Sequence, residues 1–120
     1  MSSVLIVDDS STMRKIITRS LRQAGFTLDE ITEAGDGHEG LSALEKVKVD
    51  LILSDINMPN MDGLEFVKRV RARGIMTPIV MITTEGGEDV IRDAMNSGAS
   101  SSIRKPFTPD HLQQKLGGYL

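Results

Sequence analysis

Residues 4–9 are Val4-Leu5-Ile6-Val7-Asp8-Asp9, a continuous apolar run that stops at two acidic side chains. A strand with one solvated face alternates apolar and polar residues, whereas an unbroken apolar run indicates a strand covered on both faces. Apolar residues then fall at helical spacing from Met13 to Leu21, and Gly25 marks a helix end. The start of the chain therefore predicts a buried parallel strand followed by a helix.

The same strand-then-helix unit recurs along the rest of the chain. Further strands are predicted at residues 31–34, 51–54, 78–82 and 102–104, each followed by a segment with helical spacing. The last helix begins at Thr108-Pro109, with proline at the first helical position, and ends at Gly117-Gly118. Strict alternation predicts an α/β fold, with a five-stranded parallel sheet and five helices on its two faces. We expect one domain over residues 1–120.

Composition excludes several classes of protein. The chain carries 14 Lys and Arg against 17 Asp and Glu, a net charge of −3, whereas a nucleic-acid binder needs a basic stripe. It has no apolar run of about 18 residues and no basic leader segment, so neither a transmembrane helix nor a signal peptide is expected. It also has no Cys, which excludes disulfides and thiolate sites. We therefore expect a cytoplasmic protein with neither nucleic-acid nor membrane partners.

Polar side chains directly follow four of the predicted strands. They are Asp8 and Asp9 after the first, Asp55 after the third, Thr83 after the fourth and Lys105 after the fifth. Ligands of open parallel sheets bind outside the carboxyl ends of the strands, so these groups are candidates for a single site.

Three carboxylates in one place raise each other's pKa and need a cation beside them. Lys105 offsets one charge, and a hard divalent ion would offset two more. Oxygen ligands without His or Cys indicate Mg²⁺. Mg²⁺ with carboxylates, a lysine and a hydroxyl suits phosphoryl transfer, in which a carboxylate can act as nucleophile and give an aspartyl-phosphate.

This set of residues, followed by Pro106, resembles the receiver domain of two-component response regulators, of the CheY-like type. The resemblance extends from the first strand to the last helix. The stretch Asp55-Ile56-Asn57-Met58-Pro59-Asn60-Met61-Asp62-Gly63 is especially similar to that of the chemotaxis regulators in this family. The resemblance, not the sequence pattern, supplies the strand order 2-1-3-4-5 of a flavodoxin-like sheet.

The resemblance also implies a role for each side chain. Asp55 corresponds to the phosphoacceptor, which takes a phosphoryl group from a phosphohistidine on a partner histidine kinase. Lys105 is expected to pair with a phosphoryl oxygen, and Thr83 to donate its hydroxyl to the phosphoryl group. The implied Mg²⁺ ligands are Asp8, through a metal-bound water, Asp9, Asp55 and the backbone carbonyl of Asn57.

Neighbouring residues gain expected roles in the same way. Lys105-Pro106 resembles the family's cis peptide bond, which only an X-Pro pair adopts at modest cost. Thr84 and Glu85 are expected to flank the pocket and tune the lifetime of the phosphoryl group. Met58 and Met61 are expected on the loop over the site, where flexible side chains suit a changing surface.

One position departs from the family pattern. Three residues before Lys105, CheY-like receivers usually carry an aromatic side chain that rotates inward on activation, and here the residue is Ser102. The usual coupling between the threonine and that ring is therefore in doubt. We expect any switch at this face to act through the loop of residues 83–85, which Gly86-Gly87 follows, and through backbone shifts.

The expected function is that of a stand-alone response regulator, since the chain ends just past the last helix and leaves no room for an output domain. It is not expected to be an enzyme, apart from its own phosphoryl transfer and autodephosphorylation. The phosphorylated form, most simply a monomer, is expected to bind an output protein such as a flagellar motor switch component, as in chemotaxis. A phosphatase is a further possible partner.

Three alternatives stay open at this point. The first is a receiver in a phosphorelay unrelated to chemotaxis. The second is a small Mg²⁺-dependent phosphohydrolase, although such enzymes commonly carry a second Asp two residues after the nucleophile, where this chain has Asn57. The third is a flavin-binding module, although Asp8-Asp9 stand where a phosphate loop rich in hydroxyls and glycine is needed.

Overall fold

The computed structural model describes residues 2–84 and 88–120. Within them, five parallel strands pair in the order β2-β1-β3-β4-β5, which confirms the expected fold. The strands are β1 (Ser3–Val7), β2 (Glu30–Ala34), β3 (Leu51–Ser54), β4 (Ile79–Thr83) and β5 (Ser101–Arg104). The helices are α1 (Ser11–Gln23), α2 (Gly37–Lys46), α3 (Gly63–Ala72), α4 (Glu88–Ser97) and α5 (Pro109–Leu116). None of these helices is both long and apolar enough to cross a bilayer.

The register of the central strands decides where the acidic residues emerge. β1 lies between β2 and β3, and its last residue, Val7, is opposite Ala34 on one side and Ser54 on the other. Asp8 and Asp55 are the next residues along their strands. They therefore leave the sheet side by side at its carboxyl edge.

Two apolar cores cover the two faces of the sheet. Leu5 and Val7 point into one core and Val4 and Ile6 into the other, as expected for a strand buried on both faces. Helices α2, α3 and α4 close the first core with Leu41, Phe66, Val67, Val70 and Ala94. Helices α1 and α5 close the second with Ile17, Leu21, Leu112 and Leu116. The sheet is thus a fixed platform between two helical layers.

Side-chain caps and glycines set the helix ends. Ser10, Asp36, Asp62 and Thr108 each accept a hydrogen bond from the backbone N–H three residues on, at the N-termini of α1, α2, α3 and α5. Asp36 is therefore the N-cap of α2, and Gly37 is its first residue. Gly25 and Gly98 have φ of 96° and 120° after α1 and α4, where glycine adopts the left-handed backbone without steric cost.

Strand boundaries differ from the prediction by single residues. β4 begins at Ile79, because Pro78 has no N–H to donate; its carbonyl accepts from Ile52 at 2.9 Å just before the strand starts. β2 and β5 each begin one residue earlier than predicted, at Glu30 and Ser101.

Candidate functional site

Three carboxylates meet at the carboxyl edge of the sheet. Asp8, Asp9 and Asp55 each offer one oxygen, and these atoms all lie within 4.8 Å of one another. Backbone hydrogen bonds carry the strand ladder one step past the strand ends, since the N–H of Asp8 donates to Ala34 at 3.0 Å and that of Asp55 to Val7 at 2.9 Å. The sheet itself therefore places this acidic cluster.

Asp8 is the most deeply placed of the three. It is 2% exposed, and its two carboxylate oxygens have separate partners. Oδ1 accepts from the N–H of Ser10 at 2.9 Å, and Oδ2 lies 3.4 Å from Nζ of Lys105. The Lys105 side chain is itself only 11% exposed, so the two form a nearly buried ion pair. A buried charge needs such a partner, because water no longer solvates it.

Asp55 lies at the rim, half-buried beside that pair. Its Oδ1 accepts from the N–H of Ile56 at 2.8 Å. Burial raises the pKa of the Asp55 carboxyl above its ordinary value; the charge of Lys105 opposes this rise and that of Asp8 adds to it. Without a bound cation, therefore, ionisation of Asp55 is less favourable than ionisation of an exposed Asp.

Lys105 and Thr83 come from neighbouring strands on the other side of the site. Thr83 is the last residue of β4 and is buried, and its carbonyl accepts the N–H of Lys105 at 2.8 Å. The Lys105-Pro106 bond is cis, as the resemblance implied. Thr84 is exposed next to them, while the predicted roles of Glu85 and of Gly86-Gly87 fall outside the described residues.

Asn57 lies on the exposed loop between β3 and α3, two residues after Asp55. The base of this loop is closed by a hydrogen bond of 2.7 Å from the N–H of Gly63 to the carbonyl of Ile56. A Cβ on Gly63 would overlap the Asp55 carbonyl oxygen, so only glycine allows this close approach.

The prediction for Met61 is wrong in part. It lies on the loop, but it is 4% exposed and packs in the core, with its side chain against Gly37 of α2. The adjacent Asn60 has a φ of 68°, and its Nδ2 donates to Asp36 at 3.0 Å. The tip of the loop is therefore fastened to the start of α2. Met58, which is half-buried, stays the more adaptable of the two methionines.

Sequence reasoning missed Arg14. Its Nη1 donates to the backbone carbonyl of Asp8 at 2.6 Å, and its Nε to Oε1 of Glu33 at 2.8 Å. The spacing of apolar residues in α1 indicated which residues face the core, but gave no sign that one of the helix's basic residues turns toward the acidic cluster.

The three carboxylates fit a hard divalent cation. Every atom of the cluster that could bind a metal is a carboxylate oxygen, and neither His nor Cys contributes. Oxygen ligands of this kind are the ones that Mg²⁺ prefers. Burial, with the charge of Asp8 adding to it, raises the pKa of Asp55, and a bound cation would oppose that rise by favouring the ionised carboxylate. The residues present therefore suit a metal site.

Ser102 lies away from the cluster, on the outer side of β5. There a groove of about 490 Å³ is bordered by α4 and α5. Besides Ser102, it is lined by Ile91, Ile103, Arg104, Lys105, Pro106, His111, Gln114 and Lys115. The small side chain of Ser102 contributes to this open space, and among residues 2–84 and 88–120 no acidic side chain lines it.

Comparison with known proteins agrees with this geometry. The family described as response regulator receiver domain matches residues 4–117. A chemotaxis protein CheY homolog from Campylobacter jejuni is 46% identical over 116 residues, covering 94% of this chain and 88% of the relative. The chemotaxis protein CheY1 of Helicobacter pylori is 44% identical, covering 94% of this chain and 92% of the relative.

Solved structures of chemotaxis and response regulator proteins have the same fold. The structure of the chemotaxis protein CheY4 of Vibrio cholerae has a TM-score of 0.88 and 40% sequence identity, covering 100% of this chain and 99% of that one. A Francisella receiver domain has a TM-score of 0.86 at 26% identity, covering 99% and 96%. The sequence, the fold and the acidic cluster at the carboxyl edge of the sheet all indicate one family. The chain belongs to the response regulator receiver domain family.

Proposed function

We propose that this chain is a phosphoacceptor in a two-component signalling system, with Asp55 as the acceptor residue and a histidine kinase as the donor. The observation that carries this proposal is the meeting of three carboxylate oxygens within 4.8 Å, beside the ammonium group of Lys105. Such a set has the parts that phosphoryl transfer needs, namely a nucleophile and positive charge for the phosphoryl oxygens.

In the proposed reaction, a carboxylate oxygen of Asp55 attacks the phosphorus of a phosphohistidine. The phosphorus–nitrogen bond breaks, an acyl phosphate forms on Asp55, and the leaving imidazole takes up a proton. The ammonium group of Lys105, which pairs with Asp8, also binds a phosphoryl oxygen. The hydroxyl of Thr83 donates a hydrogen bond to the same phosphoryl group. These residues lie at the carboxyl ends of β1, β3, β4 and β5, so the transfer needs no movement of the sheet.

The metal in this proposal is Mg²⁺, held by Asp9 and Asp55 directly, by Asp8 through water and by the backbone carbonyl of Asn57. When bound, Mg²⁺ supplies positive charge that neutralises the oxygens of the transferred group. A cation at this site would also lower the raised pKa of Asp55, because positive charge beside the carboxyl favours its ionised, nucleophilic form.

We propose no turnover of external substrates beyond the chain's own phosphorylation and dephosphorylation. A phosphohydrolase with an aspartyl nucleophile needs a general acid near the leaving group. The residue two positions after Asp55 is Asn57, whose amide does not supply a proton in that way.

The proposed output is phosphorylation-dependent binding of a target protein at the face formed by α4, β5 and α5, in chemotaxis. Named chemotaxis proteins from three bacteria support this process, since they resemble the chain over nearly its whole length. Arg104 and Lys115 at the groove favour an acidic, partly apolar segment as the bound element. A flagellar motor switch component is the target we propose.

Phosphorylation is tested with a small acyl-phosphate donor and Mg²⁺, followed by intact-mass spectrometry. One phosphoryl group is expected on the wild-type chain and on Asp29→Asn, an exposed control far from the site, and none on Asp55→Asn. Undiminished labelling of Asp55→Asn would rule out the assignment. Steady release of phosphate from simple phosphoesters would favour the phosphohydrolase instead.

The output face is tested by NMR on the same samples. We expect amide resonances of β5 and of α4 and α5 to shift on phosphorylation of the wild type and to stay unchanged in Asp55→Asn. Unchanged resonances on that face in a fully phosphorylated sample would contradict the proposed output site, while leaving Asp55 as the acceptor.

A further inference from the structure

We propose that Arg14 is a positioning residue for the acidic cluster: by holding the peptide that joins Asp8 to Asp9, it sets the affinity of the cluster for a divalent cation. This inference rests on the proposed function, because it assumes that the cluster binds Mg²⁺. Nothing in the family resemblance assigns a role to this residue.

Arg14 differs from the other basic residues of its helix. α1 contains Arg14, Lys15, Arg19 and Arg22 and no acidic residue. Lys15, Arg19 and Arg22 are exposed, whereas the side chain of Arg14 is only 18% exposed and lies against the start of the helix. A cation turned inward is expected only where specific partners compensate for its lost hydration.

The guanidinium of Arg14 connects two elements of the sheet edge. Nη1 donates to the carbonyl of Asp8 at 2.6 Å, and Nε donates to Glu33, near the end of β2, at 2.8 Å. The planar guanidinium presents several donors in fixed directions, so it can hold both acceptors at once, which a lysine ammonium on a flexible stem does less well. Glu33 therefore anchors Arg14, and Arg14 in turn holds the junction between β1 and α1.

The peptide held by Arg14 is the one that decides where Asp9 lies. Asp8 is already fixed by the hydrogen bond from Ser10 and by the ion pair with Lys105. The carboxylate of Asp9 is exposed, and within residues 2–84 and 88–120 it takes part in none of the side-chain hydrogen bonds. Its position is therefore set mainly through the backbone, at the carbonyl that Arg14 binds.

A positioning role and a charge effect predict opposite results. If Arg14 acted only through its positive charge, then removing that charge would strengthen the binding of Mg²⁺ to the cluster. If Arg14 acts by holding the Asp8–Asp9 peptide, then removing it weakens binding, because an exposed ligand loses its fixed position. Substitution of a residue that orients a metal ligand, without itself binding the metal, typically changes metal affinity by about 10–100-fold.

The test measures the Mg²⁺ dissociation constant of the unphosphorylated protein by titration calorimetry, for Arg14→Lys and Arg14→Met. We expect Arg14→Met to raise the dissociation constant about tenfold, and Arg14→Lys, which keeps the charge, to raise it about threefold or more. Matched changes at exposed Arg19, Arg19→Lys and Arg19→Met, are expected to leave it within about twofold of wild type.

Two further measurements separate positioning from general stability. Hydrogen exchange at the Ser10 amide, in a chelator, is expected to be faster in both Arg14 variants than in the Arg19 variants. Thermal unfolding in the same chelator gives the stability of each fold, and affinities are compared well below the unfolding temperature. A lowered melting temperature with an unchanged dissociation constant would overturn the inference, as would tighter binding in Arg14→Met or wild-type binding in Arg14→Lys.

The outcome for the wild-type chain distinguishes this inference from the proposed function. No Mg²⁺ uptake by wild type at millimolar concentration overturns both. Uptake by wild type, with phosphorylation that depends on Asp55 and with no change in either Arg14 variant, overturns only the role of Arg14.

Discussion

The two halves of the carboxyl edge differ in how much open space borders them. In the acidic half, which comprises residues 8–10 and 55–63, backbone hydrogen bonds fix Asp8, Asp55 and the base of the loop at Gly63, and the side chains of Asp8, Ile56 and Met61 are buried. In the β4–β5 half, residues 83–84 and 100–107, the paired strands are likewise joined by backbone hydrogen bonds, up to the N–H of Lys105 on Thr83 at 2.8 Å, but a groove lies open beside Ser102.

This difference follows from what each half has to hold. Like charges that share a small volume need a cation nearby, and a buried one such as Asp8 also needs fixed partners, because water does not solvate it. The other half contributes one ammonium and one hydroxyl, and its outer face retains free space. We infer that the first half determines the chemistry and that the second is the one with room to change shape.

The largest effect is expected from Gly63→Ala, which disrupts the acidic half directly. A Cβ there would meet the Asp55 carbonyl oxygen and lie 2.8 Å from Cα of Ile56. Because backbone atoms cannot move aside as a side-chain end can, we expect the free energy of unfolding to fall by about 3 kcal/mol or more. Urea denaturation measures it, with Gly118→Ala as control, since a Cβ at Gly118 meets nothing within 4 Å. Equal small losses in both variants would show that the acidic half is not tightly packed.

Lys105→Met removes the ion pair with Asp8, which joins the two halves through charge. It leaves Asp8 buried without its ammonium partner, so we expect a loss of about 2–3 kcal/mol in chelator, and a smaller loss with Mg²⁺ present. The exposed Lys68 provides the control, Lys68→Met.

The same variant has an expected pH dependence. The pKa of Asp55 is already raised in the folded protein, and loss of Lys105 removes the charge that opposes this rise. A carboxyl with a raised folded-state pKa destabilises the fold above that pKa and ceases to do so once protonated. The loss in Lys105→Met should therefore shrink as pH falls through the raised pKa of Asp55. A loss that grows on acidification would contradict the assignment of the charges.

A smaller effect is expected at Asn60, where the loop of the acidic half joins α2. Two substitutions separate the contribution of its positive φ to stability from that of its hydrogen bond to Asp36. Asn60→Gly loses only the hydrogen bond, an expected cost of about 1 kcal/mol, whereas Asn60→Ala also forces alanine into the left-handed region, for about 2 kcal/mol in all. Denaturation curves compare the two. Identical losses would mean that the backbone strain is relieved by loop movement.

The smallest effect is expected from Ser102→Tyr, in the β4–β5 half. The groove beside Ser102 has space for a ring, so we expect a change in stability of at most about 0.5 kcal/mol. Ser54→Tyr is the matched change at the border of the acidic half, in the last residue of β3; Ser54 is buried, and a loss of about 3 kcal/mol or more is expected there. Thermal unfolding of both variants compares the two halves directly. A large loss in Ser102→Tyr would remove the contrast between them.

Much of the site could be predicted from the sequence because its residues follow buried strands immediately. The runs before Asp8 and Asp55 are continuous and apolar, which indicates strands covered on both faces, and parallel strands end at a common edge. The same logic placed Thr83 and Lys105 near that edge. Strand order was supplied by the family resemblance, since periodicity does not say which strands are neighbours.

Met61 and Arg14 show where this reasoning stops. A methionine in a loop rich in polar residues gives no local sign that it is buried, and Met61 is buried because α2 passes next to it with a glycine. Arg14 is one of several basic residues in α1, and which of them turns inward depends on Glu33, 19 positions away along the chain.

The sequence by itself thus determined the strand–helix alternation, the buried sheet, and the kinds of chemical groups at its carboxyl edge. These are local properties, set by side-chain polarity and its period along the backbone. Only the tertiary structure decided which of those groups touch, that Asp36 fastens the loop at Asn60, that Arg14 holds the Asp8–Asp9 peptide, and that the face beside Ser102 is open. Each of these depends on contacts between residues distant in the chain, which packing of the helices against the sheet brings together.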